Sequence, residues 1–311
     1  MRKVFFGLLF VFIIATIILL SLNESPKDTV SLLTIYQDYS RIISKKDEII
    51  SIPVYVDYLD SFLLTPEAIT SAYLIDNLNT LEVNIENIRK TEEVDKLNEE
   101  TYYLFNIDIK FPYNLESEQL ISLNNCKLEI NYINDESIDL EIGNMYLMFK
   151  QIEENNQISL YRMFSLTDFY NGKEYISAVL LGLTNITKDD LKIISIENNI
   201  PTMNFDLKEA IFTNEELDIH ENVSSIINHE YNPIGNATLS NSIDLIDNKL
   251  LFMPIKYENT IQITNRFPII IKYIYKDKEY YYIIDDFMFF NPNYTLEDYY
   301  GSIRECIYNY K

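Results

Sequence analysis

Beyond its first 28 residues the chain alternates apolar and polar positions far more often than it repeats them at helical spacing. EIISIPVYVDY (48–58), YYLFNIDIKF (102–111) and KLEINYI (127–133) are rich in β-branched and aromatic residues in this pattern. Successive side chains on a strand point to opposite faces, so a period of two predicts strands with one buried face. Short strands joined by polar turns favour antiparallel sheets. Three stretches read differently. TPEAITSAYL (65–74) has Thr65 as an N-cap and Pro66 at the first helical position. RKTEEVDKLNEE (89–100) reads as a charged connector, helical or coiled. In TLEDYYGSIRECIYNYK, Thr295 and Asp298 approximate a capping box, and Leu296, Tyr299, Tyr300, Ile303, Cys306, Ile307 and Tyr310 follow at spacings of three and four. That stripe predicts a C-terminal helix over 296–310.

Parts of the first half recur in the second in the same order. VNIENI (83–88) matches ISIENN (194–199) at an offset of 111, and NIDIKF (106–111) matches FMPIKY (252–257) at 146. Residues 126–149 match 267–290 without a gap at 141, keeping Ile130/Ile271, Tyr132/Tyr273 and Ile142/Ile283. Each member of this pair reads as a hairpin, turning at Asn134-Asp135-Glu136 and at Lys276-Asp277-Lys278. The expected fold is mainly β: two tandem antiparallel β-sandwich-like domains, 29–157 and 158–311, related by duplication. One larger sandwich with a common strand grammar is the alternative. The growth in offset assigns the second copy an insertion around 200–250, expected to be a loop and the first candidate contact region.

Residues 1–28 stand apart. Arg2 and Lys3 precede a 19-residue apolar run, Val4–Leu22. Roughly 20 apolar residues span a bilayer as a helix. The exit, Ser21-Leu22-Asn23-Glu24-Ser25-Pro26, lacks a small-x-small cleavage site. We read a transmembrane signal-anchor, with cleavage at an atypical site as the alternative. The basic tip keeps the N-terminus cytoplasmic and places the body outside the cytoplasm, at a cell membrane.

The formal net charge of −23 sets the body against phosphate backbones, so nucleic acid is not an expected partner. Six glycines, none closely spaced, exclude a dinucleotide fingerprint, a phosphate-cradling loop and a Gly-x-Ser-x-Gly elbow. The two histidines, His220 and His229, lie nine apart in the insertion and lack the i, i+4 spacing of a zinc helix. Asp189-Asp190 and Asp285-Asp286 lack the alternating frame of a calcium loop. Cys126 falls on an apolar strand face and Cys306 on the C-terminal stripe, so both read as buried free thiols in different domains. Tyr280-Tyr281-Tyr282 reads as sheet packing before it reads as a sugar platform.

No catalytic, cofactor-binding or metal-ligating residue is assigned, and no cofactor is expected. The sequence reads as a membrane-anchored extracytoplasmic binding or interaction protein with a protein partner and no enzymatic activity, as an accessory or sensing part of an envelope complex. A surface hydrolase using a carboxylate pair and a purely structural or adhesive module are the alternatives. The second of these calls for extended sheet edges offered for strand addition.

Overall fold

The computed structural model describes residues 29–44, 48–59, 61–112, 118–150, 157–170, 173–187, 189–213, 223–228, 243–258, 266–288, 295–299 and 301–310. The apolar run 4–22 lies outside these residues. Among the described residues no helix is long and apolar enough to cross a membrane.

The chain is mainly β, as its alternation requires. The strands are β1 (Thr29–Ile35), β2 (Gln37–Ile43), β3 (Ile49–Val56), β4 (Ile69–Ile75), β5 (Thr80–Leu97), β6 (Glu100–Lys110), β7 (Gln119–Tyr132), β8 (Ser137–Phe149) and β9 (Ile158–Tyr170). There follow β10 (Lys173–Asn185), β11 (Leu191–Glu197), β12 (Met203–Phe205), β13 (Ile211–Thr213), β14 (Ile243–Asp244), β15 (Asn248–Tyr257), β16 (Arg266–Tyr275), β17 (Lys278–Met288) and β18 (Ile303–Asn309). Helix α1 (Val223–Asn228) and three short 3-10 turns complete the described elements.

Both expected hairpins form. In β7–β8 the Tyr132 amide donates to the Glu136 carbonyl and Asp135 takes a φ of +60°. In β16–β17, Tyr275 pairs with Lys278 around Lys276 and Asp277, at φ +50° and +60°. β7–β8 closes with Asp135 alone left-handed. Paired left-handed residues, as at Lys276-Asp277, twist with the strands they join, which is why two-residue turns of this kind close hairpins. The same device closes β5–β6 through Asn98 and Glu99, at φ +51° and +70°. The 89–100 connector is therefore neither helical nor coiled. It is the end of an 18-residue strand and its turn. Its charges sit on a strand that packs by only a few positions, so polarity did not preclude pairing.

Two sheets enclose the first core. One carries β4, β7, β8 and β2; the other carries β6, β3, β1 and β18; β5 pairs with β4 at its start and with β6 after it, making the corner between them. Leu32, Ile52, Val54, Ile107 and Ile109 from one side meet Leu74, Leu128, Ile130, Leu140 and Ile142 from the other. The second core lies between β11–β16–β17 and β10–β15, and Tyr146 of β8 joins it. β2 is the exception to antiparallel pairing: it runs parallel to β8 over seven pairs, Gln37↔Gly143 to Ile43↔Phe149, and touches β16 at Arg266↔Tyr39.

The C-terminal helix expected over 296–310 is not formed. Leu296–Tyr299 is a single 3-10 turn, and Ile303–Asn309 is strand β18, paired with β1 over seven residues. Thr295 and Asp298 do close on each other, the Thr295 amide donating to Asp298 Oδ2 at 2.7 Å. Gly301, at φ +87°, then turns the backbone out of any helix. The open edge of β1 supplies seven residues of pairing that the helical stripe could not match. Cys306 therefore belongs to the first core together with Cys126, not to a separate domain. Both thiols are free; Cys126 is buried, and burial pushes it up to about 12, while Cys306 is half-buried. The helix expected after Thr65 is likewise only one 3-10 turn, Pro66–Ala68, with no side-chain cap from Thr65, and the chain runs directly into β4.

The segment 200–250 is not simply a loop. Met203, Ala210, Phe212 and Leu245 fill the second core. Ile226 of α1 is fully buried with Leu166, Ala178, Leu180, Leu250 and Phe252 on the outer face of β9–β10–β15. Leu296 covers the outer face of the first unit in the same way, against Leu33, Ile35, Tyr55, Tyr102 and Leu104.

Candidate functional site

Among the described residues, those singled out for chemistry do not converge. His220 and His229 lie outside the described residues. Among the described residues there is no group of three or more His, Cys, Asp and Glu side chains that could hold a metal ion. Asp189 is taken by Lys276 Nζ at 2.9 Å and by the Tyr275 hydroxyl at 2.8 Å. Tyr280 and Tyr282 pack against the second core, and Tyr281 lies under Lys150 Nζ at 4.2 Å from the ring centroid. Two of the three tyrosines are thus packed on the second core, and the third lies on the other face of β17.

Where the two cores meet, polar groups replace apolar ones. Asn199, just after β11, donates through Nδ2 to the carbonyls of Arg41 and Tyr146, both at 3.2 Å, and accepts from the Ser40 hydroxyl. Asn144 of β8 accepts from the Asn125 amide at 3.0 Å and donates to Asp38 Oδ1 at 2.8 Å. Asp38 Oδ2 is buried with no hydrogen-bond partner. Burial pushes the Asp38 carboxyl up to about 6, with Asn144 and Thr202 pulling the other way. Sequence patterning missed this junction, because Asp38 sits in β2 with the same parity as Ser40 and resembles a solvated position.

A cleft of roughly 200 Å³ opens beside this junction, with Arg41, Glu48, Arg266 and Asp285 among its lining. Two of these charged groups are bonded nearby: Glu48 accepts from the Ser44 amide and hydroxyl, and Arg41 Nη1 reaches the Asp285 backbone carbonyl at 3.4 Å. It is smaller than the roughly 300–1,000 Å³ of a small-molecule site.

The strand edges are more informative. An open edge offers unpaired N–H and C=O groups, which proteins normally guard with charge, proline, bulges or brevity. β5 beyond Asn84 is guarded by Glu86, Arg89, Lys90, Glu92, Glu93, Asp95 and Lys96. β17 carries Lys278, Glu279 and Asp285, and β18 carries Arg304 and Glu305. β12 and β14 are three and two residues long. β9 has none of these protections in strength. It runs 13 residues, ISLYRMFSLTDFY, with no proline, glycine, lysine or glutamate, and among the described residues it pairs only with β10.

β9 also exposes its large side chains. Phe169 is 69% exposed, Tyr170 56% and Tyr161 50%, with Met163 and Phe164 close to 40%. Leu166, Ile158 and Leu160 hold the strand to the two cores from opposite faces. Tyr161 is the extra residue of a bulge opposite Gly182, and a β-carbon on Gly182 would lie 2.7 Å from its Cζ. The glycine lets the ring lie along the neighbouring strand, where its hydroxyl approaches the Lys249 carbonyl at 3.4 Å. Arg162 stands over the Phe164 ring at 5.0 Å. A long edge with a fixed backbone and a row of exposed aromatic side chains can accept an added strand, the backbone giving affinity and the side chains specificity. Length and aromatic content at 158–170 were visible in the sequence; that this strand lies at an edge was not, because edge position depends on pairing partners far away in the chain.

No known protein family matches the chain, and no curated protein matches it. Among solved structures, a chain titled BspA_C_WT aligns with 80% of this chain and 97% of its own at 7% identity and a TM-score of 0.18. The C-terminal domain of the AgI/II polypeptide BspA from Streptococcus agalactiae aligns with 80% and 96% at 8% identity and a TM-score of 0.19. At those scores neither alignment bears on fold or function.

Proposed function

We propose that the chain is a non-catalytic interaction protein, anchored in a cell membrane by residues 4–22 with its body outside the cytoplasm, and that it engages a protein partner by strand addition at β9. The observation that carries this reading is the unguarded, aromatic-rich edge of β9 beside other edges that are charged or short. The 19-residue apolar run behind Arg2 and Lys3 supports the anchor and its orientation. The same reading treats the two cores as tandem β-sandwich units. In support, the β3–β6, β4–β7 and β7–β8 pairings of the first core have counterparts in β10–β15, β11–β16 and β16–β17 of the second. Within that scheme 252–257 and 267–290 keep the partners the sequence offsets gave them. Residues 194–199, however, correspond to β4 and not to β5.

The test is a photo-crosslinking residue placed at Phe169 or, as a control, at Glu93 on the guarded β5 edge, in the full-length chain in intact cells. The expected result is a protein adduct from position 169 that is lost when Phe164→Lys is added, and none from position 93. Adducts from position 93 alone would overturn the assignment of the contact surface to β9.

A further inference from the structure

We infer that the partner at this edge is a second copy of the chain, joined by antiparallel β9–β9 pairing centred on Ser165; the inference rests on the reading of β9 as a contact edge. β9 contains one cation and one anion, Arg162 and Asp168, placed three residues to either side of Ser165. In antiparallel pairing about Ser165, each residue before the centre faces the residue equally far beyond it. Arg162 of one copy then stands opposite Asp168 of the other, twice over. Phe164 faces Leu166, and Met163 faces Thr167. A register centred on any other residue or gap of β9 leaves Arg162 facing something other than Asp168. Centring on either charge sets like against like.

The backbone allows this register. The β9 bulge ends at Tyr161, and the second irregularity of the β9–β10 ladder puts its extra residue, Ser177, on β10. Arg162 to Tyr170 is therefore an uninterrupted stretch of edge. Residues directly opposite in antiparallel strands share a face, with side chains about 5 Å apart. The charged pair falls on the face of Phe164 and Leu166, where Arg162 already lies over the Phe164 ring. Asp168 Oδ1 accepts from the Phe169 amide at 2.7 Å, and Oδ2 is the oxygen that would accept from the guanidinium of the second copy. Pairing joins two five-stranded sheets into one continuous sheet with no open β9 edge. The net charge of −23 on each copy opposes association at long range, so the dimer should strengthen as salt is raised to about 0.15 M, where the screening length falls to about 8 Å.

The test uses the full-length chain in detergent micelles. Under mild oxidation Ser165→Cys should give a covalent dimer, whereas Thr167→Cys and the wild type, with its own Cys126 and Cys306, should not. Arg162→Asp and Asp168→Arg should each weaken dimerisation about tenfold, because like charges then stand directly opposite. The double variant Arg162→Asp/Asp168→Arg should restore it. Equal crosslinking through positions 165 and 167, or no restoration in the double variant, overturns the inference. If these fail while the Phe169 crosslinker still captures a different protein, the second-copy assignment alone falls. If the crosslinker captures nothing, the reading of β9 as a contact edge falls with it.

Discussion

Gly143 sits where β8 meets the backbone of β2, and a β-carbon there would lie 2.0 Å from the Gln37 carbonyl oxygen. Its φ of +117° is also outside the range of other residues. Gly143→Ala should therefore lower stability by at least about 2 kcal/mol, read as a lower urea midpoint at unchanged slope. Asp38 is next to this contact, and its effect depends on pH. Its carboxyl is raised from an ordinary 3.8 to about 6 by burial. Well below pH 3.8 the group is protonated folded and unfolded alike, and its burial carries no ionic penalty. Between pH 4 and 6 the unfolded chain ionises first, so stability is lost as pH rises, by up to about 3 kcal/mol above pH 6. Asp38→Asn should remove this loss. The stability gap between variant and wild type should open between pH 4 and 6 and stay constant above. A gap independent of pH would show that Asp38 is not held as a buried acid. Neither residue was legible from patterning. Gly143 was visible only as one of six scattered glycines, and Asp38 only as a polar position in an alternating strand, because both depend on the parallel approach of β2 to β8.

At the scale of elements, hairpins were readable and the C-terminus was not. Turn chemistry is local, so Asn134-Asp135 and Lys276-Asp277 disclosed their hairpins without knowledge of the rest of the molecule. The final segment carries both a helical stripe and a strand alternation. The choice between them was made by β1, which is more than 250 residues away. One pair of substitutions separates the two. Tyr308 is buried among Phe62 and Tyr310, at ring centroid distances of 5.6 and 5.3 Å, and is not part of the helical stripe. Ile307 is part of that stripe but is 58% exposed on β18. Tyr308→Ala should cost about 3–5 kcal/mol and Ile307→Ala within about 0.5 kcal/mol, by equilibrium denaturation. The reverse order would favour a helix. Described parts of 200–250 are buried where a loop is expected, for a related reason. Length growth between repeats signals an insertion but not whether the inserted residues are buried. Deleting 205–245 removes Phe212, Ile226 and Leu245 and should abolish cooperative thermal unfolding, where a surface loop would leave it intact.

For the molecule as a whole, charge and edge protection separate two kinds of surface. Among the described residues, the long edges other than β9 carry acidic and basic residues, the usual guard against edge-to-edge pairing. β9 departs from this pattern: over 13 residues it carries only Arg162 and Asp168 as charges. It is attached to both the second core and the plug around Ile226, so its backbone is held in place while its aromatic side chains remain in water. Backbone amide exchange reads whether the β9 edge is covered in the membrane. An edge strand paired on one side exchanges its outward amides quickly; pairing on the second side protects them. Hydrogen–deuterium exchange on the full-length chain should be compared between native membranes and detergent solution diluted until light scattering shows a monomer free of other proteins. If β9 is a contact edge, exchange in membranes is slower over Arg162–Tyr170 alone, with the β5 edge unchanged. Equal exchange of β9 in the two preparations would contradict it.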